Sequence, residues 1–393
     1  MEGLYKFLPP FAPDYSGVCS VLFELGGMLV IHDAGGCTGN FTGYDEPRWY
    51  GSASAVFSSG LRERETIFGD EEQFMRRLQD AAAALESSFI AILGSPAPMV
   101  VGMDYRAVAA AISRRTQLPV FTFDTDGMKK YDVGQSAAFL ELVHSFVNPR
   151  FPESHDSPQV NIIGATPLDM GNKRAIERLI NEIEAAGFSN ISCWGTGASM
   201  NEIAGAARAK INIVTSWSGL AAARYMWTRY QTPFYVGIPV GTRPGILFRR
   251  DIRRMAGLAE FSQPAASCRV GKDSRKALII GEQVMSNALR ICMQMDFGLE
   301  QVQVATFLNL DESLRGETDF ILKCEEDLAA IAAQNNYDLV IGDPLYEEAL
   351  DIKGETRFIK LPHTALSSRL FWENYIDLFG EGGTSFFAEH LEP

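Results

Sequence analysis

The chain predicts an α/β protein of three similar open, mainly parallel-sheet, Rossmann-like domains, and three observations carry that expectation. Short apolar runs rich in Val, Ile and Phe alternate with amphipathic or alanine-rich stretches along all 393 residues. That is the pattern of strands buried on both faces with helices packed between them. Two stretches, NPRFPESHDSP from Asn148 and FSQPAASCRVGKDSRK ending at Lys276, exchange the apolar periodicity for Pro, Ser and charge and read as boundaries. They divide the chain into a first domain over residues 1–150, a second over 151–272 and a third over 273–393. A hydrophobic content of 46% supplies each with a core.

In chain order, SGVCSVLFELGG reads as a short helix, with Ser16 as N-cap, Cys19 in the first turn and Gly26-Gly27 as the stop. MLVIH from Met28 is the first strand, and Cys37 falls where that strand gives way to the next helix. FIAIL from Phe89 and PVFTF from Pro119 follow as strands, with a helix DEEQFMRRLQDAAAAL from Asp70 between the first two. The second set is VNIIGA from Val160, NISCWG from Asn190, INIVTS from Ile211 and PFYVG from Pro233, with KRAIERLINEIEAAG as a helix. KALIIG, VQVATF, YDLVIG and RFIKLP supply the third.

A formal charge of −14 repels a phosphate backbone, and no basic run offsets it, so nucleic acid is not an expected partner. No run approaches the roughly 18 to 20 apolar residues that span a bilayer, and MEGLYKFLPPF lacks the basic start and apolar stretch of a signal peptide. A cytoplasmic location away from membranes is expected. Six cysteines, Cys19, Cys37, Cys193, Cys268, Cys292 and Cys324, are scattered too widely for a disulfide framework and read as reduced thiols.

WGTGASM from Trp194 begins like a dinucleotide fingerprint, but Met200 stands where the third glycine belongs, and a tight strand-to-helix turn explains it better. GKDS at Gly271 lacks the upstream glycine and the Ser or Thr after lysine of a phosphate loop, so the chain is not expected to hydrolyse ATP. No GxSxG elbow is present and the five histidines form no local pair, which argues against a hydrolase. His32 ends the first strand beside Asp33, and His363 follows the last strand at a domain edge.

Cys19 and Cys37 are separated by 17 residues, which matches no tight metal-binding spacing, and buried thiols are ordinarily small core side chains. The loop Asp33-Ala34-Gly35-Gly36-Cys37 adds a double glycine, which lets backbone approach a bulky ligand and turn N–H groups toward bridging sulfides. The expectation is half of a metal-cluster site with both sulfurs facing one point.

Four segments resemble the nitrogenase component 1 family, which includes molybdenum-iron protein subunits, cofactor-assembly relatives and tetrapyrrole reductases. SGVCSVLFELGGMLVIHDAGGC looks like the family's first two cluster cysteines with their glycines. SSGLRERETIFGDEEQF from Ser58 is similar to a further family segment, with Phe68 and Gly69 in place. PAPMVVGMD resembles the stretch carrying a third cluster cysteine, with Pro96 at that position. KINIVTSWSGLAAARYM from Lys210 is similar to the segment whose cysteine holds the molybdenum cofactor, with Ser216 at that position.

The resemblance implies a three-domain fold and a [4Fe-4S] cluster shared between two subunits, with Cys19, Cys37, Gly35 and Gly36 of each at a two-fold axis. A homodimer or a heterodimer with a related subunit satisfies the same count. Neither an eight-iron cluster nor a permanently ligated molybdenum cofactor is implied. It further implies an oxidoreductase that takes electrons from a separate ATP-hydrolysing iron-sulfur reductase and reduces a small-molecule substrate. A tetrapyrrole or another organic molecule is expected in preference to dinitrogen. Ser216, Trp217 and His363 are expected in the wall of the substrate cavity. The competing expectations are a scaffold or carrier for metal-cofactor assembly without turnover, and a binding module with no cluster.

Overall fold

Met28, Leu29, Val30 and Ile31 are all fully enclosed, as are Ile90 to Leu93 and Val160 to Ile163. Such runs are stable only as inner strands with helices on both sheet faces, and the computed structural model places them there. It describes residues 5–52, 54–68, 71–152, 159–259, 271–350 and 356–391. Cys268, His155, Gly69, Asp70 and most of the two sequence-derived boundary stretches lie outside the described residues.

The first sheet comprises β1 (Met28–Ile31), β2 (Ala55–Ser58), β3 (Ile90–Leu93) and β4 (Val120–Phe123) in the order β2-β1-β3-β4. The second has β5 (Val160–Ile163), β6 (Ile191–Cys193), β7 (Ile211–Val214) and β8 (Phe234–Val236), in the order β6-β5-β7-β8. The third has β9 (Asp273–Ile280), β10 (Leu299–Thr306), β11 (Phe320–Ile321), β12 (Leu339–Gly342) and β13 (Arg357–Lys360), in the order β11-β10-β9-β12-β13. Every pairing within these sheets is parallel. In each, the strand order reverses beside the sheet's first strand, the crevice where open α/β sheets bind ligands.

The sheets share cores. Helix Tyr131–Phe146 buries Ala138, Phe139, Leu142 and Val143 against Ile163, Trp194, Ile203 and Met226 of the second sheet's layer as well as Phe89 and Leu93 of the first. Helix Gln283–Phe297 joins the second and third sheets through Ala288, Leu289, Cys292 and Met293. Among the described residues, no helix is long and apolar enough to cross a membrane.

The first helix differs from its sequence reading. It runs Asp14–Leu22 after Pro13, three residues earlier than a Ser16 cap requires, and Ser16 Oγ instead donates to Asp45 Oδ2 at 2.7 Å. Cys19 therefore lies in the second turn. The helix is buried on all sides because Gly17 and Gly134 let it touch helix Tyr131–Phe146 backbone to backbone. A Cβ on Gly134 would stand 1.8 Å from the Asp14 carbonyl oxygen, and one on Gly17 2.0 Å from that of Tyr131.

Candidate functional site

Cys37 lies at the crevice of the first sheet, in the short helix Gly36–Asn40 that follows β1. Asp33 fixes this loop by accepting from Thr38 N at 2.8 Å, Thr38 Oγ1 at 2.9 Å and Ser58 Oγ at 2.6 Å. Gly35 has φ of 114°, a conformation that favours glycine. Side chains added at Gly35 or Gly36 would meet nothing within 4 Å, so the space in front of the loop is open. The Cys37 thiol is half-buried and hydrogen-bonds with Tyr15 and Ser95. Burial pushes it up, opposed by those two hydrogen bonds and reinforced by the charge of Asp33.

Cys19 has a different environment. It is completely enclosed with Val18, Val21, Leu22 and Phe41, and burial together with the charge of Glu46 holds its thiol well above the usual range. The two cysteines belong to one apolar cluster, but only Cys37 reaches the surface of the chain. Among the described residues, no group of three or more His, Cys, Asp or Glu side chains is placed to hold a metal ion. A group shared between two chains must be touched from the surface of each. Of these two thiols, Cys37 alone is open to a group lying outside the chain.

Exposed apolar side chains lie on the segments beside Ser95 and Tyr15. Met99 and Val100, in the helix Pro96–Val101 that begins beside Ser95, are 49% and 81% exposed. Met128 is 78% exposed next to Gly127, which packs against Pro96 and Tyr15.

A second site is a cavity of about 120 Å³ between the carboxyl ends of the second and third sheets. Asp169 and Asn172 reach it after β5, Gly281 and Glu282 after β9, Gly342 at the end of β12, and His363 after β13. Its apolar wall includes Met285, Leu289, Phe371 and Trp372. Ser286, 1% exposed, lines it with a hydroxyl that has no hydrogen-bond partner among the described residues. Glu282 accepts from Trp217 N at 2.8 Å and Met285 N at 2.9 Å, and burial raises its carboxyl to about 7.

Of the three residues expected in the cavity wall, His363 lines it. Trp217 stands behind Glu282, to which its backbone N–H is bonded. Ser216 is buried, with its Oγ 3.1 Å from Gly164 O and 2.7 Å from Ser218 Oγ. His32 is occupied as a core residue: Nδ1 is 2.8 Å from Ser59 Oγ, the ring rests on Phe74, and burial lowers it to about 4. Tyr15, Ser95, Asp169 and Glu282 were not found from the sequence. They come together from turns far apart in the chain and carry no motif. WGTGASM forms a tight turn with φ of 90° at Gly195 and 77° at Gly197, followed by helix Met200–Gly205.

A family model described as nitrogenase component 1 type oxidoreductase matches residues 14–344. The chain belongs to the nitrogenase component 1 family. Among curated members, it is 26% identical over 242 residues to the nitrogenase iron-molybdenum cofactor biosynthesis protein NifE of Bradyrhizobium diazoefficiens, a match covering 60% of this chain and 43% of that protein. It is 28% identical over 135 residues to one subunit of the light-independent protochlorophyllide reductase of Methylocella silvestris, covering 33% and 27%. The matches thus span less than half the length of either relative. The fold of the component 1 family extends through the chain: the solved structure of nitrogenase Cp1 at pH 6.5 superimposes with a TM-score of 0.75 at 13% identity, over 100% of this chain and 93% of the other. Cp1 at pH 5 gives 0.71 at 16% identity, over 100% and 89%.

Proposed function

We propose that this chain is the substrate-binding subunit of a component 1-like oxidoreductase, working with an ATP-hydrolysing iron-sulfur reductase and a homologous partner chain. The observation that carries the reading is that Cys37 and the cavity each occupy a sheet crevice, within a chain whose family model is that of an oxidoreductase. Cys37 is the ligand this chain presents to an intersubunit [4Fe-4S] cluster, with Gly35 and Gly36 leaving room for it. Four thiolates from two copies of this chain would need Cys19 at the surface, where it does not lie. The exposed Met99, Val100 and Met128 suit a partner's apolar surface, and a heterologous partner brings the remaining ligands. A cluster of this kind supplies single low-potential electrons when bound.

The cavity is the substrate site. Its mixed lining of apolar and aromatic side chains around a few carboxyl groups suits an organic molecule, as in ligand pockets generally. A tetrapyrrole is the candidate class that the protochlorophyllide reductase relative supports.

The similarity to NifE favours a second reading, in which the cavity holds a metal cofactor during assembly and releases it. Ser216, bonded to Gly164 and Ser218, offers no fixed thiolate to such a cargo, which suits release. The two readings separate when the anaerobically isolated complex is mixed with its reductase and ATP. Sustained consumption of an added tetrapyrrole is expected. ATP hydrolysis without loss of any candidate organic substrate, accompanied by transfer of metal to an acceptor protein, would overturn the reductase in favour of the carrier.

A further inference from the structure

Tyr131 is fully enclosed, yet its hydroxyl joins two groups that line the cavity. It lies 2.6 Å from Asp169 Oδ1 on one side and 3.0 Å from His363 Nε2 on the other. The tyrosine is fixed in place: its backbone N–H donates to Ala12 O at 2.8 Å, and the glycine contacts described above hold its helix. Behind Asp169, Gln135 Nε2 donates to Thr166 Oγ1 at 2.6 Å, and Thr166 Oγ1 is 3.5 Å from Asp169 Oδ2. His363 N donates to Asp343 Oδ2 at 2.7 Å, which orients the residue. The imidazole Nδ1 has no hydrogen bond to any described residue, while the ring borders the cavity.

A hydroxyl between a carboxyl group and an imidazole can point either way. With Asp169 protonated, the acid donates to the phenol and the phenol donates to Nε2, leaving the imidazole proton on Nδ1. With Asp169 ionised, the phenol donates to the carboxylate and Nε2–H donates to the phenol. The two states differ by one proton at Asp169 and by the imidazole tautomer.

We infer that Asp169, Tyr131 and His363 form a proton relay that protonates the substrate of this cavity, with His363 Nδ1 as the donor atom. The inference rests on the reductase reading for its substrate, an organic molecule with a conjugated double bond, and for its electrons, which come one at a time from the low-potential iron-sulfur reductase. As the substrate gains an electron, its new C–H or N–H bond forms while the Nδ1–H bond breaks. Nε2 takes the Tyr131 proton, and Tyr131 takes the Asp169 proton. The products are the protonated substrate, an Asp169 carboxylate and the Nε2–H tautomer. Asp169 is recharged by water at the cavity face.

The surroundings suit both ends of the relay. Burial and the charge of Glu282 hold the Asp169 carboxyl well above the usual carboxylate range, so it stores a proton. Burial lowers His363 to about 4, so it passes a proton on as a neutral imidazole and does not retain it. The other titratable groups facing the relay are all acidic: Asp132 on the tyrosine's helix, Glu282 at the start of helix Gln283–Phe297, and Asp343 after β12. Asp132 is bonded to Asn309 N and Nδ2, both at 2.9 Å, and so takes no part in the chain of protons.

The test needs neither cluster nor reductase. The chain is labelled with ¹⁵N-histidine, and the His363 signal, identified by its loss in His363→Gln, reports the tautomer from two-bond nitrogen-proton couplings as the pH is raised across the range in which the chain stays folded. In the native protein the ratio of Nδ1–H to Nε2–H forms is expected to swing from more than tenfold one way to more than tenfold the other as Asp169 ionises. Tyr131→Phe and Asp169→Asn should each freeze the tautomer across that range, and Asp169→Asn retains a hydrogen-bonding group should the first variant fold poorly. A single tautomer throughout in the native protein, or a swing that survives Tyr131→Phe, would overturn the relay. A switching imidazole in a chain that supports no substrate reduction would sink the reductase reading alone, whereas a fixed imidazole in an active complex would sink the relay alone.

Discussion

Glu282 is 5% exposed and has a carboxyl raised to about 7 from an ordinary 4.5, chiefly by burial. The folded chain therefore holds this proton more tightly than the unfolded chain. The associated stability is present in full below pH 4.5 and is lost as the pH rises through 7, by at most about 3 kcal/mol. Glu282→Gln keeps the side chain neutral and removes that loss. Urea unfolding at pH 5 and pH 8 should show the variant gaining on the native protein at the higher pH. A difference between the two that is the same at both pH values would contradict the assignment. His32 and His363, each lowered to about 4, act in the opposite sense between pH 4 and 6.5 and are common to both proteins.

The same scale explains what the sequence concealed. Tyr131 and His363 lie 232 positions apart, and no local pattern joins a tyrosine inside an apolar helix to a histidine after the last strand. Ser95 and Cys37 meet because β1 and β3 are neighbours, a pairing visible only in the sheet order. Cys19 occupies a helix in which every residue from Asp14 to Leu22 is buried. A thiol there has the same sequence surroundings whether it binds metal or packs, and burial separates the two.

At the scale of elements, the strands were legible wherever both faces are covered, because an unbroken apolar run has no other stable use. β2 and β11 were not. β2 is an edge strand with only Val56 buried, and β11 has just two residues, so neither produces an apolar run. The contact between helices Asp14–Leu22 and Tyr131–Phe146 was also hidden, since Gly17 and Gly134 read equally well as weak helix formers. Gly134→Ala pushes a methyl group into the Asp14 carbonyl. It is expected to destabilise the chain by about 3 kcal/mol or more, since the packed backbone has nowhere to move. Ala138→Gly, a substitution in the same helix without that clash, should cost about 1 kcal/mol from propensity, plus the loss of one buried methyl. Denaturant midpoints compare the two, and a Gly134→Ala midpoint equal to the native value would show that the helices do not touch as described.

Across the whole molecule, three sheets with one recurring reversal of strand order give three crevices, and the chain uses them unequally. The first displays Cys37 at the surface. The second and third face each other across the cavity. The C-terminal segment links them physically: Phe371 and Trp372 line the cavity, while Ser368 Oγ donates to Tyr44 O and Arg369 lies 4.4 Å over the Tyr50 ring, in the stretch following Cys37.

The central claim is that Cys37, and not Cys19, is the thiol this chain brings to a shared cluster. Iron and labile sulfide per chain, measured in the anaerobically isolated complex for the native protein, Cys37→Ser and Cys19→Ser, test it most directly. The account predicts native cluster content in Cys19→Ser and loss of most of it in Cys37→Ser, with both variants folded by circular dichroism. Equal loss in both folded variants, or full iron in Cys37→Ser, would contradict it.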